Sequence, residues 1–184
     1  ARDSKLWLYS LIWGSTTGVI YTFSAIAPII SHDSLHIPPD VFGVYNLWVF
    51  MGLAIGNILA AKLAMYFSAR KVMAAGIVVA LSGALFLLLS TMSGNLTAAH
   101  FFLWTTLSFL GMPAIFCNAS ALATAQCEDK ATASSLMNSV DLCMAIIVLS
   151  VMGLVTVHMA EMMSGLFVGM LIIVLLLFGW AGRR

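Results

Sequence analysis

Residues 42–92 read FGVYNLWVFMGLAIGNILAAKLAMYFSARKVMAAGIVVALSGALFLLLSTM. Two long apolar runs flank a short basic stretch that holds Lys62, Arg70 and Lys71. About 20 apolar residues cross the hydrocarbon core of a bilayer as a helix, and each run is long enough. The pattern extends to both ends of the chain, with apolar runs at about residues 6–30, 42–67, 72–92, 99–126, 134–157 and 164–181. Arg2 and Lys5 precede the first run, Lys130 lies between the fourth and fifth, and Arg183 and Arg184 follow the sixth. The connections near residues 31–41, 93–98 and 158–163 contain no Lys or Arg. By the positive-inside rule the basic connections are cytoplasmic, and so are both termini. The sequence therefore predicts an all-α, multi-pass integral membrane protein, with residues 1–184 forming one six-transmembrane-helix bundle.

Composition agrees with that reading. The chain is 62% hydrophobic and 8% charged, against roughly 25% charged residues in soluble domains. A net charge of +1 with no basic run excludes a nucleic-acid partner. Cys117, Cys127 and Cys143 lie in or beside apolar runs without metal-ligand spacing, and they read as small buried residues. His32 and His36 are four apart but sit in a connection with no Glu beside the first. His100 and His158 fall at membrane edges. No metal or cofactor is expected. An intramembrane Ser/His protease would need a His at depth, and no Walker loop, dinucleotide fingerprint or nucleophile elbow occurs, so the chain does not read as an enzyme. Asn95-Leu-Thr97 matches a glycosylation sequon in a connection too short to be a convincing acceptor. The chain opens on Ala1-Arg2 rather than Met, and its first run is too long for a signal peptide, so Ala1 reads as an internal start.

The runs differ in polarity. The sixth is almost wholly aliphatic, and the third carries only Ser82, Ser90 and Thr91 as polar residues, so both can face lipid over most of their surface. Polar residues inside the other four must face protein or water. That contrast predicts four lining helices and two outer ones. In the first run Ser10, Gly14, Thr17, Tyr21, Ser24 and Pro28 recur at steps of three or four and share a helical face. Small-residue helix contact explains the stripe, and a cavity wall carrying Thr17 and Tyr21 is the functional alternative. Pro28 leaves a carbonyl unpaired near the outer end, giving a kink or flexible point. In the second run Asn46 and Asn57 point the same way, and Gly52 and Gly56 form a GxxxG pair extended by Ala60. Close helix approach is the default meaning of that pair, and repacking during a conformational cycle is the other. Lys62 lies where its ammonium can reach the headgroups. The fourth run holds Thr105, Thr106, Ser108, then Gly111-Met112-Pro113, then Asn118, with Ser108, Gly111 and Asn118 able to share a face. Gly111 and Pro113 predict a bend that is either static or a gate.

Asp141 in the fifth run is the most consequential residue. It is the one acid deep in any run, eleven residues beyond Lys130 at the end of the Glu128–Lys130 connection, or on the order of 16 Å along the helix at about 1.5 Å per residue. An ionised Asp near a helix centre costs about 2.5–3.5 kcal/mol even on insertion scales. A wet cavity, a cationic partner or ligand, or protonation must offset this. Asn138, one turn earlier, could hydrogen-bond to it. The readings are proton or cation handling by Asp141, a neutral structural Asp, or pairing with a basic group of another segment. Thr17, Tyr21, Asn46, Ser108, Asn118, Asn138 and Asp141 form the candidate cavity lining.

A family resemblance rests on Ser24-Ala-Ile-Ala-Pro28, Phe42-Gly43, Gly56-Asn-Ile-Leu-Ala-Ala-Lys62 with Arg70-Lys71, and Lys130-Ala-Thr-Ala-Ser134-Ser135-Leu. Together these resemble helices seven to twelve of a major facilitator superfamily transporter, most of all the drug/proton antiporters of the Bcr/CflA and MdfA type. Ala131 stands where that family often has Gly, and Asp141 where relatives often have Gln or another uncharged residue. The resemblance implies half of a twelve-helix major facilitator fold, with substrate between two six-helix halves and alternating access by rocking. It also implies proton-coupled export of lipophilic or cationic small molecules (multidrug efflux) from a bacterial inner membrane. The implied partners are an N-terminal six-helix half, the lipid bilayer, a small-molecule substrate and protons. Two alternatives stand beside it: a metabolite uptake carrier of the same superfamily, and a non-transporting scaffold or homodimer assembled through Gly52 and Gly56. No convincing repeat relates residues 1–92 to 99–184 in sequence.

Overall fold

A computed structural model describes residues 2–125, 127, 129–154 and 158–182. Ala1, Gln126, Glu128, residues 155–157 at the end of the fifth predicted run, Arg183 and Arg184 lie outside the described residues. The described chain is all-helical: α1 (Arg2–Asp33), α2 (Pro39–Tyr66), α3 (Ala69–Met92), α4 (Ala98–Thr124), α5 (Lys130–Gly153) and α6 (Met159–Ala181). Helices α2 to α6 are each long and apolar enough to cross a membrane. Helix α1 is the longest, at 32 residues, yet it does not join them by composition, because Ser, Thr, Gly and Tyr dilute its apolar residues. Of the six runs expected to cross the membrane, the first is therefore the one whose helix is not apolar enough by composition to count as a span. The polar groups of α1 are largely satisfied within it. Ser10 donates to Leu6 O (2.8 Å), Thr16 to Ile12 O (2.8 Å) and Thr22 to Gly18 O (2.8 Å). A hydroxyl bonded one turn back adds little unsatisfied polarity to a buried helix.

Local chemistry sets the breaks. After α1 the chain turns through His36, which has a positive φ of 53°, and Pro39 opens α2 at a position where a missing N–H costs nothing. Gly94 takes a φ of 68° between α3 and α4, a conformation that a Cβ would strain. The Thr97 side chain caps α4 by accepting from His100 N, and the Asp129 side chain caps α5 by accepting from Ala131 N.

Helices α1 and α4 are central. α4 carries α2 and α3, α1 carries α5 and α6, and the two groups meet along α1–α4 and α3–α6. Phe23 of α1 joins the first contact, with its ring 5.2 Å from Phe109 and 6.2 Å from Phe101 of α4. Exchanging α1, α2 and α3 with α4, α5 and α6 maps the α2–α4 and α3–α4 contacts onto α1–α5 and α1–α6 and leaves α1–α4 and α3–α6 in place, so the two triplets share one packing pattern though not a sequence.

Small residues set the closest approaches. A Cβ on Gly52 would lie 2.9 Å from Thr106 O, and one on Gly56 would collide with Leu110 O. Gly111 faces α3, where a Cβ would lie 2.5 Å from Gly76 O and 2.6 Å from Ala80 N. The helices also differ in how much they bury. α3 buries nine residues, among them Met73, Ile77 and Leu87, against α4 and α6, whereas α2 buries only Val49, Gly52, Gly56 and Ala60. An aliphatic helix packs on two neighbours here. Helices α2 and α5 each lean on one and leave the remaining surface open.

Candidate functional site at the α1–α5 seam

The seam begins with Gly14. A Cβ there would lie 3.4 Å from Asp141 Cα, so the missing side chain lets α5 settle against α1 at the height of the acid. One turn on, Thr17 Oγ1 donates to Asp141 Oδ1, and a further turn on the Tyr21 hydroxyl donates to Asp141 Oδ2 at 3.4 Å. The i, i+4 spacing of Thr17 and Tyr21 aims both hydroxyls at the two oxygens of one carboxylate. Asp141 is 8% exposed, while Tyr21 is 39% exposed. The phenol therefore forms the open edge of a nearly buried acid.

Among the described residues no Lys, Arg or His nitrogen lies within 4.0 Å of the Asp141 carboxylate. Two neutral hydroxyls are its partners, and Tyr21 is the one titratable group among them. Thr17 has a further choice. Its oxygen is 3.0 Å from Trp13 O and 3.2 Å from Gly14 O as well as bonded to Asp141, yet a hydroxyl has a single hydrogen to donate. That hydrogen can satisfy the carboxylate or the helix's own carbonyls.

The other lining candidates lie elsewhere. Ser108 is fully buried and donates to Ala80 O at 3.0 Å, so it faces α3 and joins two helices instead of lining an opening. Asn118 is buried and donates to Ala114 O of its own helix at 2.8 Å. Asn138 is exposed, and the bonds on Asp141 come from α1, not from it. Asn46 is half-buried, and its Oδ1 has no hydrogen-bond partner among the described residues. Pro28 is exposed within an α1 that continues to Asp33. Pro113 is buried inside α4, with its Cγ 3.1 Å from where a Gly56 Cβ would sit. The sequence reading missed Gly14 as the contact that admits Asp141 and missed the cross-helix bonds. Its usable signal was the Gly14, Thr17, Tyr21 series, one turn apart on one face.

No protein-family model matches this chain, and no curated protein matches it.

Proposed function

We propose that this chain is a six-helix half of a secondary transporter of the major facilitator type, in which Asp141 takes up and releases a proton in exchange for a lipophilic or cationic small molecule. The observation that carries this is a nearly buried carboxylate held by two hydroxyls, with no fixed cation beside it among the described residues. Ionisable residues within membrane helices mark ion and proton pathways by default. In the ionised state Thr17 and Tyr21 both donate to the carboxylate. When a proton arrives, the acid donates it to Thr17 Oγ1, and the Thr17 hydrogen turns back to Trp13 O. Neither state leaves a donor without an acceptor. A cationic group reaching Asp141 past Tyr21 competes with the proton for the same charge, and that competition is the basis of exchange.

Two further observations support the reading. The exchange relation between the two helix triplets fits a 3+3 repeat. The open faces of α2 and α5 fit a second, N-terminal six-helix half, which with α1 and α4 would enclose the pathway. In this arrangement both termini and the basic connections face the cytoplasm of a bacterial inner membrane. The scaffold alternative used Gly52 and Gly56 as an assembly surface, and α4 already occupies that surface. Uptake and export share this geometry, and the direction of flux separates them.

The test is exchange by the full-length protein in proteoliposomes, with tetraphenylphosphonium as the probe and an imposed pH gradient. Asp141→Asn is expected to abolish the pH-driven component while the protein keeps its helicity and elution profile. Flux that stays equally pH-dependent in the variant removes Asp141 from proton coupling.

A further inference from the structure

On the other side of α4 a second feature depends on neither Asp141 nor transport. Helices α2 and α3 are consecutive yet scarcely touch, because each packs on α4 through its own small residues. Gly56 and Ala60 bring α2 onto Leu110 and Ala114, and a Cβ on Gly76 would lie 2.7 Å from Gly111 O. Between them runs a groove of two joined cavities, about 110 Å³ over the α4 floor and about 270 Å³ toward the start of α3. The cavities share Leu63, Val72 and Ala75 in their walls.

The chemistry of the groove is one-ended. Its walls are aliphatic or glycine from Gly56 and Val79 outward until Phe67 and Lys71 at the mouth. Lys71 is exposed, and among the described residues no carboxylate lies within 4.0 Å of its ammonium. Arg70 beside it is engaged elsewhere, donating to Phe178 O at 3.4 Å with its guanidinium 5.1 Å from the Phe178 ring. The mouth therefore offers one unpaired cation above a narrow apolar slot. A slot of this volume with aliphatic walls suits a flexible hydrocarbon chain.

We infer that the α2–α3 groove is a site for an anionic phospholipid, one acyl chain lying over Gly76 and Gly111 and the phosphate paired with Lys71. Basic residues at the headgroup level between membrane helices recognise anionic lipid in this way. The apolar chain alone gains little by leaving other lipid, so the preference among lipids resides in the headgroup pairing with Lys71. Shape sets where the lipid sits.

Native mass spectrometry of the full-length protein tests this, using phosphatidylglycerol and phosphatidylcholine with identical acyl chains as probes. Wild type is expected to retain phosphatidylglycerol over phosphatidylcholine by about fivefold, the effect of one basic side chain near the surface. Lys71→Gln alters an exposed side chain and should bring that ratio to about one. Ala75→Phe fills the shared wall and should remove one bound lipid of either kind. An unchanged headgroup ratio in Lys71→Gln, or an unchanged lipid count in Ala75→Phe, overturns the assignment. A dimer lost in Ala75→Phe with no change in bound lipid would give the groove to a second copy of the chain.

Discussion

Replacing Gly56 with Ala puts one methyl group where α2 crosses α4. The added Cβ would collide with the backbone carbonyl of Leu110 and come within 3.1 Å of both the Leu110 carbonyl carbon and Pro113 Cγ. None of these can rotate away, since two are main chain and the third is a ring, so the helices must separate. Overpacking of this kind costs about 1–3 kcal/mol. Ala is also a better helix former than Gly by about 1 kcal/mol, which offsets part of the cost. Gly169 supplies the control. It lies exposed on α6 with nothing within 4 Å of where an added methyl group would sit, so Gly169→Ala keeps the propensity gain without the clash. Gly56→Ala should therefore be about 1–3 kcal/mol less stable than Gly169→Ala. Thermal unfolding of the full-length variants in one detergent, followed by intrinsic fluorescence and size exclusion, reads the difference. Equal midpoints would refute the α2–α4 contact. An oligomer that dissociates in Gly56→Ala with its midpoint unchanged would make the surface intermolecular and restore the scaffold alternative.

Other expectations separate site from scaffold. Thr17→Val should weaken pH-driven exchange by about tenfold or more, the loss of one hydrogen bond to a charged group, whereas Thr17→Ser should retain most of it; equal activity in the two variants would remove the hydroxyl from the mechanism. Ser108→Ala should lower stability by about 0.5–1.5 kcal/mol through the lost bond to Ala80 O and leave the pH dependence of exchange intact. A changed pH profile there would return Ser108 to the cavity lining. At the start of α5, bonds from Thr132 Oγ1 (2.5 Å) and the backbone hold Asp129 below the ordinary Asp value of 3.8. A depressed folded-state value means the cap is fully stabilising above 3.8 and is lost as pH falls through the lower folded value. Protection of the Ala131 amide relative to its intrinsic exchange rate should fall in that acid range in wild type, and Asp129→Asn should flatten the response.

Much of the fold was legible because apolar runs of membrane length report directly on their solvent. The GxxxG pair likewise announced a close contact. Sequence could not say which helix would fill that contact, because spacing fixes a face relative to its own helix axis and not relative to neighbours. Ser108 shows the limit: it shares a face with Gly111 as expected, and that face turns out to meet α3. Asn138 shows another. It was the nearest amide along the chain, yet the acid is bonded by a threonine 124 residues away. A cross-helix partner is decided by tertiary geometry, and Gly14 supplies that geometry while carrying no side chain to notice. The relation between the helix triplets was hidden for a similar reason, since ridges and grooves can be equivalent with few identical residues.

That relation sharpens the reading of Asp141. Under the exchange, the α2–α4 contact corresponds to the α5–α1 contact. The first is closed by Gly52 and Gly56 against main-chain atoms of α4, and its cross-helix side-chain bond, from Cys117 Sγ to Asn57 Oδ1 at 3.7 Å, involves no carboxylate. The second is closed by Gly14 and then opened by a carboxylate with two hydroxyl partners. A comparable hydroxyl pair joins α3 to α6, where Thr91 Oγ1 and Ser164 Oγ lie 3.0 Å apart while each also bonds its own helix. Both members there are alcohols, so neither changes charge in the physiological range. Thr17 differs because one of its competing acceptors can be neutralised by a proton. Protonation at Asp141 therefore changes which helix the Thr17 hydrogen holds, and it does so at a contact of α5, one of the two helices that lean on a single neighbour. Under the proposed exchange function, the α1–α5 seam would be the one that responds to a proton, and the α2–α4 seam, closed by glycines against main chain, would not.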